Sequence, residues 1–168
     1  MIGLIARASA AANRVTELIL VPLVAFLAGV LIVAVFSRYV FQLSIVTATE
    51  MTRLAFVWGV FLGAAAGVKR GAHVRVVALV SRLPAAAGRL VPVVVHGSFL
   101  VFALLMLWHG ASLTERMSVT TFPTLGVSQG WLYLALPVSG ALIALHALSG
   151  LLTMHPVDPP SEIEGSSP

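Results

Sequence analysis

An all-α integral membrane fold is what this sequence predicts: four transmembrane helices in a bundle, with a short interfacial helix between the second and third. Three observations lead there. Of the 168 residues, 59% are hydrophobic and only 10% charged, against roughly a quarter charged in soluble domains. The apolar residues fall into four separated runs, each near the roughly 20 residues that a helix needs to cross hydrocarbon. The basic residues gather beside those runs, and mostly beside alternate ends of them, as the positive-inside rule requires.

Span one covers about 17–39, where Leu18 to Phe36 carries no charge and Ser37, Arg38 and Tyr39 supply an interfacial end. Arg7 and Arg14 precede it, but the apolar run exceeds the roughly 7–15 residues of a signal-peptide core, so the span is expected to stay in the mature protein. Span two covers about 50–69. It enters through Glu50, Met51, Thr52 and Arg53, and Leu54 to Val68 forms its apolar body. Between spans two and three, Gly71 to Gly88 is basic yet rich in Val, Leu and Ala. Arg75 and Arg82 share a helix face, so residues 72–83 are expected to lie as a helix in the interface until Pro84 ends it. Span three covers about 90–113 and contains His96 and His109. Span four covers about 129–154, with Pro137 predicted to kink it because proline removes a backbone donor and crowds the preceding turn. Residues 1–154 thus form one membrane domain. Residues 155–168, with Pro156, Pro159, Pro160, Glu162 and Glu164, cannot bury a core and read as a disordered cytoplasmic tail.

Orientation follows from the short connections. Arg7 and Arg14 lie before span one, and the basic anchors Lys69, Arg70, Arg75, Arg82 and Arg89 lie between spans two and three. Both segments are expected in the cytoplasm, with both termini inside, and Arg38, Arg53 and Arg116 on the far side. The formal charge of +4 has no soluble scaffold to present it, so membrane anchoring is expected and nucleic-acid binding is not. The absence of cysteine excludes disulfides, thiolate metal sites and cysteine nucleophiles. G-x-x-x-x-G-K-[ST], G-x-G-x-x-G and H-E-x-x-H are all missing. The acids are Glu17, Glu50, Glu115 and three in the tail, which gives no carboxylate pair for general acid–base work. No enzyme, metal or cofactor is expected.

Three constellations stand out. Gly59, Gly63 and Gly67 form a double G-x-x-x-G on one face of span two, a groove that lets another backbone approach closely where lipid gives little hydrophobic drive for association. A helix of this chain or of a partner would fill it. Arg38, Glu50 and Arg53 fall at neighbouring outer ends and are expected to pair, with Glu50 also favoured by the helix dipole. His96 and His146 lie at similar depths on spans three and four. Two such histidines could ligate a haem, so a membrane-anchor subunit of cytochrome b type is the alternative reading.

Several stretches, in order, resemble a known family. They are Ser37-Arg-Tyr-Val-Phe41, Glu50-Met-Thr-Arg53, Phe56-Val-Trp-Gly-Val-Phe-Leu-Gly-Ala64, Arg70-Gly-Ala-His73, Arg82-Leu-Pro84, Thr121-Phe-Pro-Thr-Leu-Gly126 and Tyr133-Leu-Ala-Leu-Pro137. Jointly they resemble the small Q-type permease subunit of tripartite ATP-independent periplasmic (TRAP) transporters. Val77, Ser128 and the lack of a tryptophan before Glu50 depart from that pattern. The resemblance implies a small scaffold subunit in a bacterial inner membrane. It implies a large multi-span M-type permease and a periplasmic substrate-binding protein as partners, in ion-coupled uptake of organic acids. It makes Phe56, Trp58, Gly59, Gly63 and Gly67 candidates for helix packing or the partner interface, and Arg38, Glu50, Arg53 and Arg116 candidates for the outer docking surface.

Overall fold

The computed structural model describes residues 2–43, 45–80 and 85–153, without the side chains of 2, 71–80, 85–89 and 92. The chain runs α1 (Ile2–Val40), α2 (Val46–Val80), α3 (Ala85–Met117), α4 (Gly130–Tyr133) and α5 (Ala135–Leu152). Four stretches are long and apolar enough to cross a membrane: Gly3–Val40, Val46–Arg70, Val93–Met117 and Gly130–Leu152. The last joins α4 and α5, which are separated at Leu134. The break has a covalent cause. Pro137 has no N–H to give the carbonyl of Tyr133, and regular bonding resumes where Val138 N–H donates to Leu134 O at 3.2 Å.

Both α1 and α2 outrun the bilayer. The 39 residues of α1 extend about 58 Å at roughly 1.5 Å per residue, against about 30 Å of hydrocarbon. A hydrophobicity criterion starts span one near residue 17, but the alanine-rich stretch before it is a good helix former and carries the helix back to Ile2. In the same way the separate interfacial helix expected over 72–83 differs from what is found. Residues 72–80 continue α2 without interruption, and 81–83 lie outside the described residues, as does the tail 155–168.

Among the described residues, α2 and α5 each touch every other long helix, whereas α1 and α3 do not touch each other. The bundle is therefore a diamond with α2 and α5 across its short diagonal. Its centre is built from small residues. Ala65, Ala103 and Ile143 are buried together, with Phe99, Met106 and Leu142 packed around them. On α2 the buried positions Ala48, Ala55 and Leu62 recur every seven residues, the spacing of a left-handed helix seam. The α3–α5 contact is the tightest, because glycines remove the side chains there. A Cβ on Gly140 would lie 3.0 Å from both Ala103 O and Leu107 N, and one on Gly110 would lie 2.8 Å from Leu136 Cβ.

The α1–α2 connection is closed by Ser37. Its carbonyl accepts from Phe41 N–H at 3.2 Å and Leu43 N–H at 3.1 Å, and its hydroxyl donates to Leu43 O at 3.1 Å. This turn puts Gln42 at φ 55°, a left-handed conformation that costs a residue with a side chain about 1 kcal/mol or more relative to glycine. Gln42→Gly is expected to raise the melting temperature of the detergent-solubilised protein by about 2 °C. A lower value would mean that the glutamine side chain contributes a contact that the strain argument omits.

Candidate functional site

Polar groups concentrate at the two ends of the bundle. At the outer end, Glu50 in the first turns of α2 reaches the α3–α4 connection. Its carboxylate accepts from Leu125 N–H at 2.8 Å and Thr124 N–H at 3.2 Å. That connection is a small hairpin-like loop. Phe122 N–H donates to Val127 O at 2.8 Å, Gln129 N–H donates to Thr120 O at 2.7 Å, and Gly126 sits at φ 65°, where glycine is at ease. Buried Phe122 pins the loop from within. The expected pairing of Glu50 with Arg38 and Arg53 is therefore not found. The carboxylate is spent on backbone donors, and among the described residues neither arginine makes an ion pair. Arg38, Arg53 and Arg116 are all exposed on this rim.

Gly126-Val-Ser-Gln-Gly130 in this loop corrects the expectation that no G-x-S-x-G, a hydrolase string, occurs in the chain. Its context is wrong for a nucleophile, which needs a strand-to-helix turn and a neighbouring base. The Ser128 hydroxyl instead donates to Ser118 O at 2.7 Å and accepts from Gly130 N–H at 3.0 Å. It is a structural clip.

The row Phe56, Trp58, Gly59, Gly63 and Gly67 divides. Trp58 Nε1–H donates to Trp131 O at 2.9 Å, which ties α2 to α4 within the chain. A Cβ on Gly59 would only graze Leu23, at 3.9 Å, and Gly63 and Gly67 have nothing within 4 Å. Phe56 is exposed. The glycine groove is thus not the chain's own packing seam, which on α2 consists of the alanines and Leu62. Beside α1 an apolar groove of about 390 Å³, lined by Phe26, Val30, Val33, Ile45 and Met51, also stands open.

At the inner end three helices are clasped by polar contacts. Arg70 on α2 binds Glu17 on α1 through Nη2 at 2.7 Å and Nε at 3.1 Å, and Asn13 donates to the same oxygen at 2.7 Å. Lys69 Nζ donates to Ser9 Oγ at 2.8 Å, and Ser9 Oγ lies 2.9 Å from His146 Nδ1 on α5. Of the basic anchors, Lys69 and Arg70 are therefore engaged between helices as well as placed at the membrane end. The side chains of Arg75, Arg82 and Arg89 lie outside the described residues. Ser9 went unremarked in the sequence because nothing local marks it: its partners are 60 and 137 residues away.

His96 and His146 do line one cavity, as their matched depths suggest, while His109 is exposed elsewhere on α3. That cavity is about 40 Å³, whereas pockets for cofactor-sized ligands take about 300 Å³ or more. Gly150 lies against the His96 ring, and His146 Nδ1 is already bonded. A porphyrin has no room between these rings, so the arrangement rules against the haem alternative.

Comparison with known proteins gives a consistent result. The model of the DctQ component of tripartite ATP-independent periplasmic transporters matches residues 27–155. The sialic acid TRAP transporter small permease protein SiaQ of Vibrio cholerae is 27% identical over 142 residues, which cover 84% of this chain and 82% of that protein. A putative TRAP transporter small permease protein of Haemophilus influenzae is 25% identical over 142 residues, covering 84% and 88%. The C4-dicarboxylate TRAP transporter small permease protein DctQ of Vibrio cholerae is 36% identical over 104 residues, covering 56% and 44%.

Proposed function

The chain belongs to the DctQ-component family of tripartite ATP-independent periplasmic transporters, and from that premise we propose that it is the scaffold subunit against which a large M-type permease is held. It is a multi-pass membrane component of a transporter and not an enzyme. In this reading the large subunit carries the solute and coupling-ion sites, and a periplasmic binding protein delivers the solute. Transport is then secondary and ion-coupled. The relatives named for sialic acid and for C4-dicarboxylates support an organic acid as the solute class. Both termini face the cytoplasm, because the basic residues around spans one to three favour that side.

One observation carries this reading. Glu17 is paired with Arg70 at the inner end of span two, Glu50 lies in the first turns of α2 and Glu115 in the last turn of α3, and the middle is filled by Ala65, Ala103 and Ile143. An ionisable group deep in a membrane marks a solute or proton path; here the centre is packed and apolar. Meanwhile no residue in the most apolar stretch of α1 is fully buried among the described residues, and Gly63 and Gly67 face open space. Such surfaces suit a protein neighbour.

Gly63→Leu tests the reading. A Cβ there has nothing within 4 Å, so folding is expected to be unchanged. Close approach of a second backbone would be blocked, and recovery of the co-expressed large permease in mild detergent is expected to fall about tenfold, the equivalent of about 1.4 kcal/mol. Full recovery of the complex would remove this face from the interface. A wild-type chain that brings down no large permease at all would refute the scaffold reading.

A further inference from the structure

The inner polar cluster contains a donor that its own network leaves unused. An ammonium group only donates, so the contact from Lys69 Nζ occupies a lone pair of Ser9 Oγ. We assign the single hydroxyl hydrogen of Ser9 to His146 Nδ1, the other partner of that oxygen, at 2.9 Å. A neutral imidazole with an accepting Nδ1 carries its own hydrogen on Nε2. That Nε2 is buried, with no hydrogen-bond partner, on a side chain only 5% exposed. A buried N–H with nothing to accept it is costly, and native structures rarely leave one so.

Beside it lies the cavity of about 40 Å³, lined by Ser9, Lys69, His96, His146, Ser149 and Thr153. Lys69 contributes a positive charge to this wall. Among the described residues it meets no carboxylate, because the neighbouring Glu17 is taken by Arg70. The volume is close to the roughly 30 Å³ that one water occupies in the liquid, which admits a monatomic ion and excludes phosphate or an organic acid. A water would satisfy the orphan donor but leave the lysine charge uncompensated. An anion answers both needs, since the Lys69 ammonium group meets no carboxylate among the described residues.

We propose that this cavity binds a single halide-sized anion, held by the Lys69 ammonium group and His146 Nε2–H, where α1, α2 and α5 meet. The site does not depend on the scaffold reading. Its role is to clamp the inner ends of these three helices.

The test uses the full chain in lipid nanodiscs. Chlorine NMR of sodium chloride solutions is expected to show excess linewidth over empty nanodiscs, displaced by bromide and lost in Lys69→Met. The melting temperature is expected to be about 3 °C higher in chloride than in gluconate of equal ionic strength. Should Lys69→Met fail to fold, bromide displacement on the wild-type chain decides the matter. A wild-type linewidth equal to that of empty nanodiscs would mean a bound water only and overturn the proposal. So would an excess that survives Lys69→Met or resists bromide.

Discussion

Gly140→Val is expected to abolish recovery of folded protein in mild detergent, while the equally drastic Gly63→Leu leaves it intact. The difference lies in what each side chain would meet. At Gly140 a Cβ would sit 3.0 Å from the carbonyl oxygen of Ala103 and the amide nitrogen of Leu107, both backbone atoms of α3. Valine adds two methyl groups to that collision. α3 has little room to step aside, because a Cβ on Gly110 would lie 2.9 Å from Pro137 Cδ and Gly150 lies against the ring of His96. Overpacking a core costs about 1–3 kcal/mol where the surroundings give. With backbone on both sides the cost is expected above that range, a large part of the typical 5–15 kcal/mol of a domain. Size-exclusion profiles and thermal melts of both variants check the contrast. A monodisperse Gly140→Val protein with a wild-type melt would show that the α3–α5 seam is looser than described.

Glu50→Ala is expected to release the outer loop without unfolding the bundle. Removing the carboxylate strands the N–H groups of Thr124 and Leu125. Hydrogen bonds to a charged partner are worth about 1.5–3 kcal/mol each, and water recovers part of that at an exposed end. A net local loss of about 2 kcal/mol corresponds to amide exchange at Leu125 roughly 30-fold faster. Exchange in the α3–α5 core should not change. Glu50→Gln keeps one accepting oxygen and is expected to fall between the two. Unchanged exchange at Leu125 would mean that buried Phe122 and the hairpin bonds hold the loop unaided.

The positions of the four spans were legible because hydrocarbon imposes one simple demand, about 20 apolar residues in a helix. Their true ends were not, since a helix does not stop where the lipid does. Propensity carries α1 back to Ile2 and α2 on to Val80. The interruption of the last span at Leu134, just before Pro137, follows from the proline's missing N–H. Helix packing was harder. A four-residue glycine repeat draws attention to Gly63 and Gly67, where a Cβ would meet nothing within 4 Å, while the glycines that admit a close neighbour, Gly110, Gly140 and Gly150, follow no such repeat. A helix face can be counted from sequence, but its occupant cannot. The charged residues teach the same lesson. Glu50 and the Thr121–Gly126 stretch were both visible, yet only the fold brings that carboxylate to that backbone. The Ser9–Lys69–His146 chain joins residues from three helices, and no local pattern announces it.

In the proposed scaffold role this chain transports nothing alone yet is required by a complex that does. The direct measurement is sodium-dependent uptake of an organic acid into proteoliposomes, with binding protein supplied outside, for vesicles holding this chain, the large permease, or both. Uptake is predicted with both and at background for this chain by itself. Uptake through this chain in the absence of the large permease, or undiminished uptake when this chain is omitted, would refute the scaffold role.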